Sequence, residues 1–227
     1  MKIFDFILNI LFPPRCVSCK KEGDFLCEAC IAQLKIKDLR LMKRYDASEK
    51  EFDYLDGVIY GLDYADNPQI QAALKQFKYK FTQDLADYFG DIVAQKVEEL
   101  SMTRGKKVIL IPVPLHKKRL NYRGFNQAEL IANAVSDRVG DRAEVISALI
   151  RTRHTSQQAK LHKKDRQKNL EDAFQVVGNF DDTFKNVVYF LVDDVCTTGS
   201  TLENCAKALK DAGLPRVYGL TVARAFK

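Results

Sequence analysis

The apolar residues of this chain change period several times, and each change marks an element. Residues 186–192, Asn-Val-Val-Tyr-Phe-Leu-Val, are the most apolar stretch, and residues 107–113 form a second continuous run stopped by Pro112 and Pro114. Both runs predict buried strands. Shorter strands are predicted at 143–150, 173–177 and 217–223, while 55–64 alternates apolar and polar positions like a partly exposed strand. Helical spacing occupies 68–79, 82–100, 126–138 and 202–211. In the second of these, Leu85, Phe89, Ile92, Val93 and Val97 share one stripe; Gly213 and Pro215 end the last. Near-continuous apolar strands alternating with helices predict an α/β fold, a parallel sheet covered on both faces. Such sheets bind ligands beyond the carboxyl ends of their strands.

The front of the chain follows other rules. Residues 1–12 are apolar but short, with Asp5 and Asn9 one helical turn apart. An amphipathic helix is expected there; a membrane span needs ~20 apolar residues. Asp5 also interrupts what a secretory signal would keep apolar, and a cytoplasmic protein is expected. Residues 35–53 are charged and aperiodic and read as a connector. The predicted organisation is therefore 1–35, 36–54 and 55–227.

Cys16-x2-Cys19 and Cys27-x2-Cys30 are two tight pairs separated by seven residues. Each pair places two thiolates on one ion, and two pairs complete the tetrahedral sulfur shell of structural zinc. Two disulfides are the main competing reading, and nothing signals an oxidising compartment. Four thiolates leave no open position for a substrate, so the site reads as structural. Cys205 falls among apolar neighbours of a helix and reads as core, and Cys196 receives no role.

With 227 residues, 46% of them hydrophobic, the chain has material for one domain with a core and a small appendage. The net charge of +6 is concentrated. Residues 112–124 hold Lys117, Lys118, Arg119 and Arg123 with no acid. Residues 151–168 hold seven cations, Arg151 and Arg166 among them, against Asp165 alone. The remainder is net negative. Two cationic loops suit a compact polyanion such as pyrophosphate, or a strand of nucleic acid, and a solvated surface is the plain alternative.

After the strand at 186–192 come Asp193, Asp194, Val195, Cys196, Thr197, Thr198, Gly199, Ser200 and Thr201, then a helix. Free N–H groups at a helix start carry positive partial charge. Together with small hydroxyls around a glycine they can cradle a dianion without a lysine. The two carboxylates just upstream suit sugar hydroxyls or hydrated magnesium. Phosphate at one end and diol acceptors at the other describe a ribose 5-phosphate. No Gly-Lys-Ser/Thr ends the loop and no GxGxxG follows a strand, which excludes two other nucleotide motifs. A helix N-cap would explain one Thr or Asp of this run.

At these residues the sequence resembles a known family. Residues 191–201 look like the ribosyl-pyrophosphate signature of type I phosphoribosyltransferases. The wider pattern resembles the ComF/GntX (competence protein F-like) family, in which such a domain follows an N-terminal zinc ribbon. The likeness covers nearly the whole chain. It rests on Pro13-Pro14-Arg15-Cys16, residues 74–79 ending Lys78-Tyr79, residues 112–116, Arg119, residues 123–128, and a series from Arg151 through Arg166 to Ala173-Phe174.

The resemblance implies roles. Asp193 and Asp194, the catalytic pair, would take the ribose 2- and 3-hydroxyls with Mg2+ nearby. Thr197, Thr198, Gly199, Ser200 and Thr201 would hold the 5-phosphate of phosphoribosyl pyrophosphate. Lys118, Arg119 and Arg123 would bind pyrophosphate, and Arg151 and Arg166 would belong to a mobile loop at 151–168. Arg119 and Arg123 would face one ligand if a helix starts early, and His116 sits beside them. The acceptor would be read by residues 55–90, where Tyr60, Tyr64, Phe77, Tyr79 and Phe81 offer rings for stacking or for the core. Three outcomes stay open: a transferase, a sensor of the ribosyl ligand, and a non-catalytic DNA-uptake factor. The last would bind single-stranded DNA or a competence helicase through the basic loops.

Overall fold

The computed structural model describes residues 13–36, 41–43, 52–79, 82–152, 173–178 and 186–225. The helix expected at 1–12, most of the loop at 151–168 with Arg166, and Phe81 lie outside these.

Six strands form the main sheet: β1 (Leu41–Lys43), β2 (Gly57–Asp63), β8 (Val217–Arg224), β7 (Val187–Cys196), β3 (Lys107–Pro112) and β4 (Ala143–Val145), adjacent in that order. All neighbours are parallel except β1, which pairs antiparallel with β2 at the edge. A separate antiparallel pair joins β5 (Leu149–Arg151) to β6 (Phe174–Val176). From β3 the chain steps to β4 on one side and to β7 and then β8 on the other. The winding therefore reverses between β3 and β7, which opens a crevice at their carboxyl ends.

Helices cover both faces. On one lie α2 (Pro68–Gln76), α3 (Leu85–Glu99) and α5 (Gln127–Val139); on the other lies α6 (Ser200–Asp211) with the β5–β6 pair. Strand β7 serves both by alternation. Phe190 and Val192 enter the first core with Phe77, Phe89 and Val135, while Tyr189 and Leu191 enter the second with Leu202 and Leu209. The α3 stripe is buried as its spacing predicts. Helix α3 crosses α5 at Gly90, where a Cβ would lie 2.5 Å from that of Ala134. A side chain there would push the two helices apart.

The cysteine segment, with its short helix α1 (Glu28–Ile31), packs into the first core rather than standing apart. Cys16, Leu26, Cys27 and Cys30 are buried in the cluster that holds Phe89 and Ile92. Polar contacts reinforce the seam. The side chain of buried Asn67 accepts from the Lys35 N–H at 2.7 Å and donates to the Asp63 carbonyl at 2.9 Å. The Tyr88 hydroxyl meets the Asp24 carboxylate.

Four expectations change. Strand β2 is buried throughout except at Asp63, because β1 flanks it and α3 covers it. The connector contains β1, a three-residue edge strand too short to register as a pattern. The run at 143–150 is two strands: Ala148 N–H bonds back to the Ile146 carbonyl, and β5 leaves the sheet to pair with β6. Strand β7 continues four residues past Val192, paired with β8 through Cys196 and Arg224.

Candidate ribosyl-phosphate site and zinc centre

The crevice between β3 and β7 opens into a cavity of about 410 Å3. Its floor is the end of β7. Because that strand is still paired at Asp193, opposite Thr221, the sheet ladder holds the carboxylates rather than a loose loop. The Asp194 N–H donates to Asp193 Oδ1 at 2.8 Å, and the Val195 N–H to Asp194 Oδ1 at 2.7 Å. Burial pushes the Asp193 carboxyl well above its ordinary value of 3.8, and the neighbouring Asp194 charge adds to the rise. A cation beside Asp193 would offset this rise. Magnesium characteristically uses one or two carboxylates plus substrate phosphates. The donor set therefore fits a hydrated Mg2+.

Beyond the strand, Gly199 takes a left-handed conformation (φ 72°) at the N-cap of α6, a position that disfavours a side chain. Glycine brings no side-chain cap of its own, and the Ser200 N–H donates to Thr198 Oγ1 at a long 3.4 Å. The Thr198 and Ser200 hydroxyls bond each other at 2.9 Å. Of this loop, Thr197 and Thr201 line the cavity, and Thr198, Gly199 and Ser200 are not among its lining residues.

A short helix, α4 (Lys117–Arg123), supplies the next wall. His116 caps it, its Nδ1 accepting from the Lys118 N–H at 3.2 Å, and Gly124 ends it in a left-handed turn. One helical turn apart, Arg119 and Arg123 both line the cavity; Lys118 is exposed and His116 is outside the lining. Arg123 is oriented by Gln127, whose Oε1 it reaches at 2.8 Å. Arg151, from β5, stands over the Phe174 ring and completes the cationic side. Burial lowers the Arg123 and Arg151 guanidinium pKa values, and the charge of Arg119 lowers both further. Asp193 pulls the other way at both, and Asp194 at Arg123, so these half-buried guanidinium groups stand where an anion is favoured.

The structure thus brings Asp193, Asp194, Thr197, Thr201, Arg119, Arg123 and Arg151 to one cavity. Sequence reasoning gave no site role to Lys75, Lys78, Gln127 and Asn126, which also line it, and named Tyr64 among the rings for stacking or for the core. The i, i+3 spacing of Lys75 and Lys78, set against the apolar face of α2, was the available signal. Tyr60 and Phe77 are core residues, Tyr64 is half-buried in the cavity wall, and Tyr79 is exposed.

At the other end of the molecule the four cysteine Sγ atoms lie within 4.8 Å of one another. The Cys19–Cys27 separation of 3.5 Å is far from a sulfur–sulfur bond and close to the edge of a tetrahedral sulfur shell. Burial pushes the Cys30 thiol to about 12. At Cys16 burial also acts upward, but backbone hydrogen bonds at Cys19, Cys27 and Ser18 outweigh it and bring the thiol to about 6. Four thiolates cannot coexist there without a divalent charge, and the cluster is a structural zinc site.

Zinc ribbon and doubly covered, mostly parallel sheet together define a two-part α/β protein. Residues 7–40 match the double zinc ribbon domain family. The chain is 39% identical over 117 residues to competence protein F of Haemophilus influenzae, covering 51% of this chain and 50% of that protein. It is 31% identical over 157 residues to the DNA utilization protein YhgH of Escherichia coli (68% and 66%), and 30% identical over 150 residues to competence protein ComFC of Bacillus subtilis (66% and 57%). The chain therefore spans about half the length of the Haemophilus protein it matches, and somewhat more of the other two. It is a competence protein F-like chain with an N-terminal zinc ribbon. Among the described residues no helix is long and apolar enough to cross a membrane.

Proposed function

We propose that the cavity binds phosphoribosyl pyrophosphate with Mg2+ and supports transfer of its ribosyl 5-phosphate group to an acceptor. One observation carries this reading: an acidic pair on a strand end shares one cavity with the glycine-capped start of a helix and three arginines. The ribose hydroxyls would meet Asp193 and Asp194, with the 5-phosphate at Thr197, Thr201 and the first turn of α6. The diphosphate would then lie toward Arg119, Arg123 and Arg151. Asp193 and Asp194 would hold the hydrated Mg2+, which would supply positive charge to offset that of the phosphates. As the acceptor's electron pair bonds to C1, the C1–O bond breaks and its electrons pass to the diphosphate. Arginines placed where that charge grows lower the barrier.

Calorimetric titration with phosphoribosyl pyrophosphate and Mg2+ tests the binding step. A wild type that takes up no ligand would refute the reading. Pyrophosphate release across a panel of bases and amines then separates a transferase from a sensor.

The names of the relatives support a role in competence or DNA utilization, and one surface gives this a physical form. Lys117, Lys118 and the 83%-exposed Tyr122 stand outside the cavity on α4. Basic residues with an exposed ring suit single-stranded DNA. Affinity for an oligonucleotide that falls steeply with salt and drops in Tyr122→Ser would support this second reading, and a helicase partner would be sought on the same surface.

A further inference from the structure

The reading above accounts for the acidic pair, the start of α6 and the arginines, but not for one wall of the cavity. That wall comes from the opposite face of the sheet. Tyr64 follows β2, and Leu74, Lys75 and Lys78 come from the end of α2 and the turn after it. Helix α2 is fixed there by its own packing: Ile70, Ala73 and Phe77 are fully buried against α3 and α5. Phe77 meets the Phe89 and Phe125 rings, and its carbonyl accepts from Gln127. The backbone that carries the two exposed lysines is thus held in place from behind.

Both lysines are exposed at the rim of the cavity. Among the described residues, neither Lys75 nor Lys78 has an ion-pair partner, and the only acids lining the cavity are Asp193 and Asp194. The 5-phosphate needs neither lysine, because the α6 start lies on the other face of the sheet. The diphosphate already has Arg119, Arg123 and Arg151. Two further cations beside a half-buried ring and a leucine make a separate subsite, apolar in its middle and positive at its rim.

We infer that this wall seats the acceptor, and that the acceptor is an anion: a flat or apolar body against Tyr64 and Leu74, with a carboxylate or phosphate of its own held by Lys75 and Lys78. The inference rests on the ribosyl reading of the cavity. A neutral base of the same shape would leave Lys75 and Lys78 without an anionic partner in the cavity.

The test uses the full chain saturated with phosphoribosyl pyrophosphate and Mg2+, titrated with isosteric pairs: pyridine-3-carboxylate against its carboxamide, and 2-aminobenzoate against aniline. The carboxylate of each pair is expected to bind at least tenfold more tightly, the size of one charge-assisted hydrogen bond. Lys75→Gln/Lys78→Gln is expected to abolish that preference while its uptake of phosphoribosyl pyrophosphate stays within about twofold. Equal affinities within each pair, or no binding of the carboxylates by the loaded wild type, overturn the inference. A double variant that loses phosphoribosyl pyrophosphate also overturns it, by assigning the lysines to the diphosphate. Failure of the wild type to load in the first place is a different result and removes the underlying reading.

Discussion

The zinc ribbon and the strand-end cavity both gather groups that repel one another, and they resolve the conflict differently. In the ribbon, four thiols converge on one point in a segment too small to own a core, so the ion that ties them is part of the fold. In the cavity, carboxylates and guanidinium groups stand on elements the sheet already holds, and the conflict persists until a ligand arrives. One region is completed by its ion and the other is left incomplete by its sheet. Stability and binding should therefore separate cleanly between them.

The largest effect expected is on the ribbon. Cys27→Ala, or exhaustive chelation, should cost several kcal/mol, since structural zinc contributes on the order of 10 kcal/mol in small zinc modules. Thermal melting with and without chelator, alongside zinc content near one per chain, would register it. A melt indifferent to chelator would break the comparison at its first term.

Substitution in the cavity should do the reverse. Asp193→Asn is expected to weaken phosphoribosyl pyrophosphate binding by roughly 100-fold, about 2.7 kcal/mol, without lowering the melting temperature. The pH dependence sharpens this. Because the folded carboxyl titrates well above 3.8, it destabilises the wild type increasingly as pH rises from that value through the folded one. The variant should be the more stable protein near neutrality, and the gap should close below about pH 4. Parallel melts at several pH values would show it, and a variant less stable at neutral pH would contradict it.

Smaller effects probe the seam between the regions. Asn67→Ala strands the Lys35 N–H and the Asp63 carbonyl and should cost about 1–3 kcal/mol in denaturant unfolding, with ligand affinity unchanged. Tyr88→Phe removes only the hydroxyl facing Asp24 and should cost about 1 kcal/mol or less.

What the chain's letters disclosed divides along the same line. The cysteine clip was legible because four ligands at tight spacing leave few alternatives. The acidic pair and hydroxyl loop were legible because their chemistry is contiguous, and the two strands that frame the crevice are apolar throughout. Illegible features depended on distant partners. Nothing at 146–148 breaks the apolar run, and β5 departs only because β6 waits for it. The burial of Tyr60 and the cavity position of Tyr64 are set by which face of β2 meets α3. Lys75 and Lys78 look like ordinary solvated lysines until Phe77 fixes the side of α2 that faces the cleft.

Strand β7 stays paired through Cys196, three residues beyond the acidic pair's first member. The carboxylates thus belong to the scaffold, whereas the Thr-Gly turn that follows is anchored only at its ends. Exchanges at residues 197 and 198 should redesign anion preference while leaving the diol-facing groups where they are. In a laboratory evolution experiment, the turn is the part that can be rewritten.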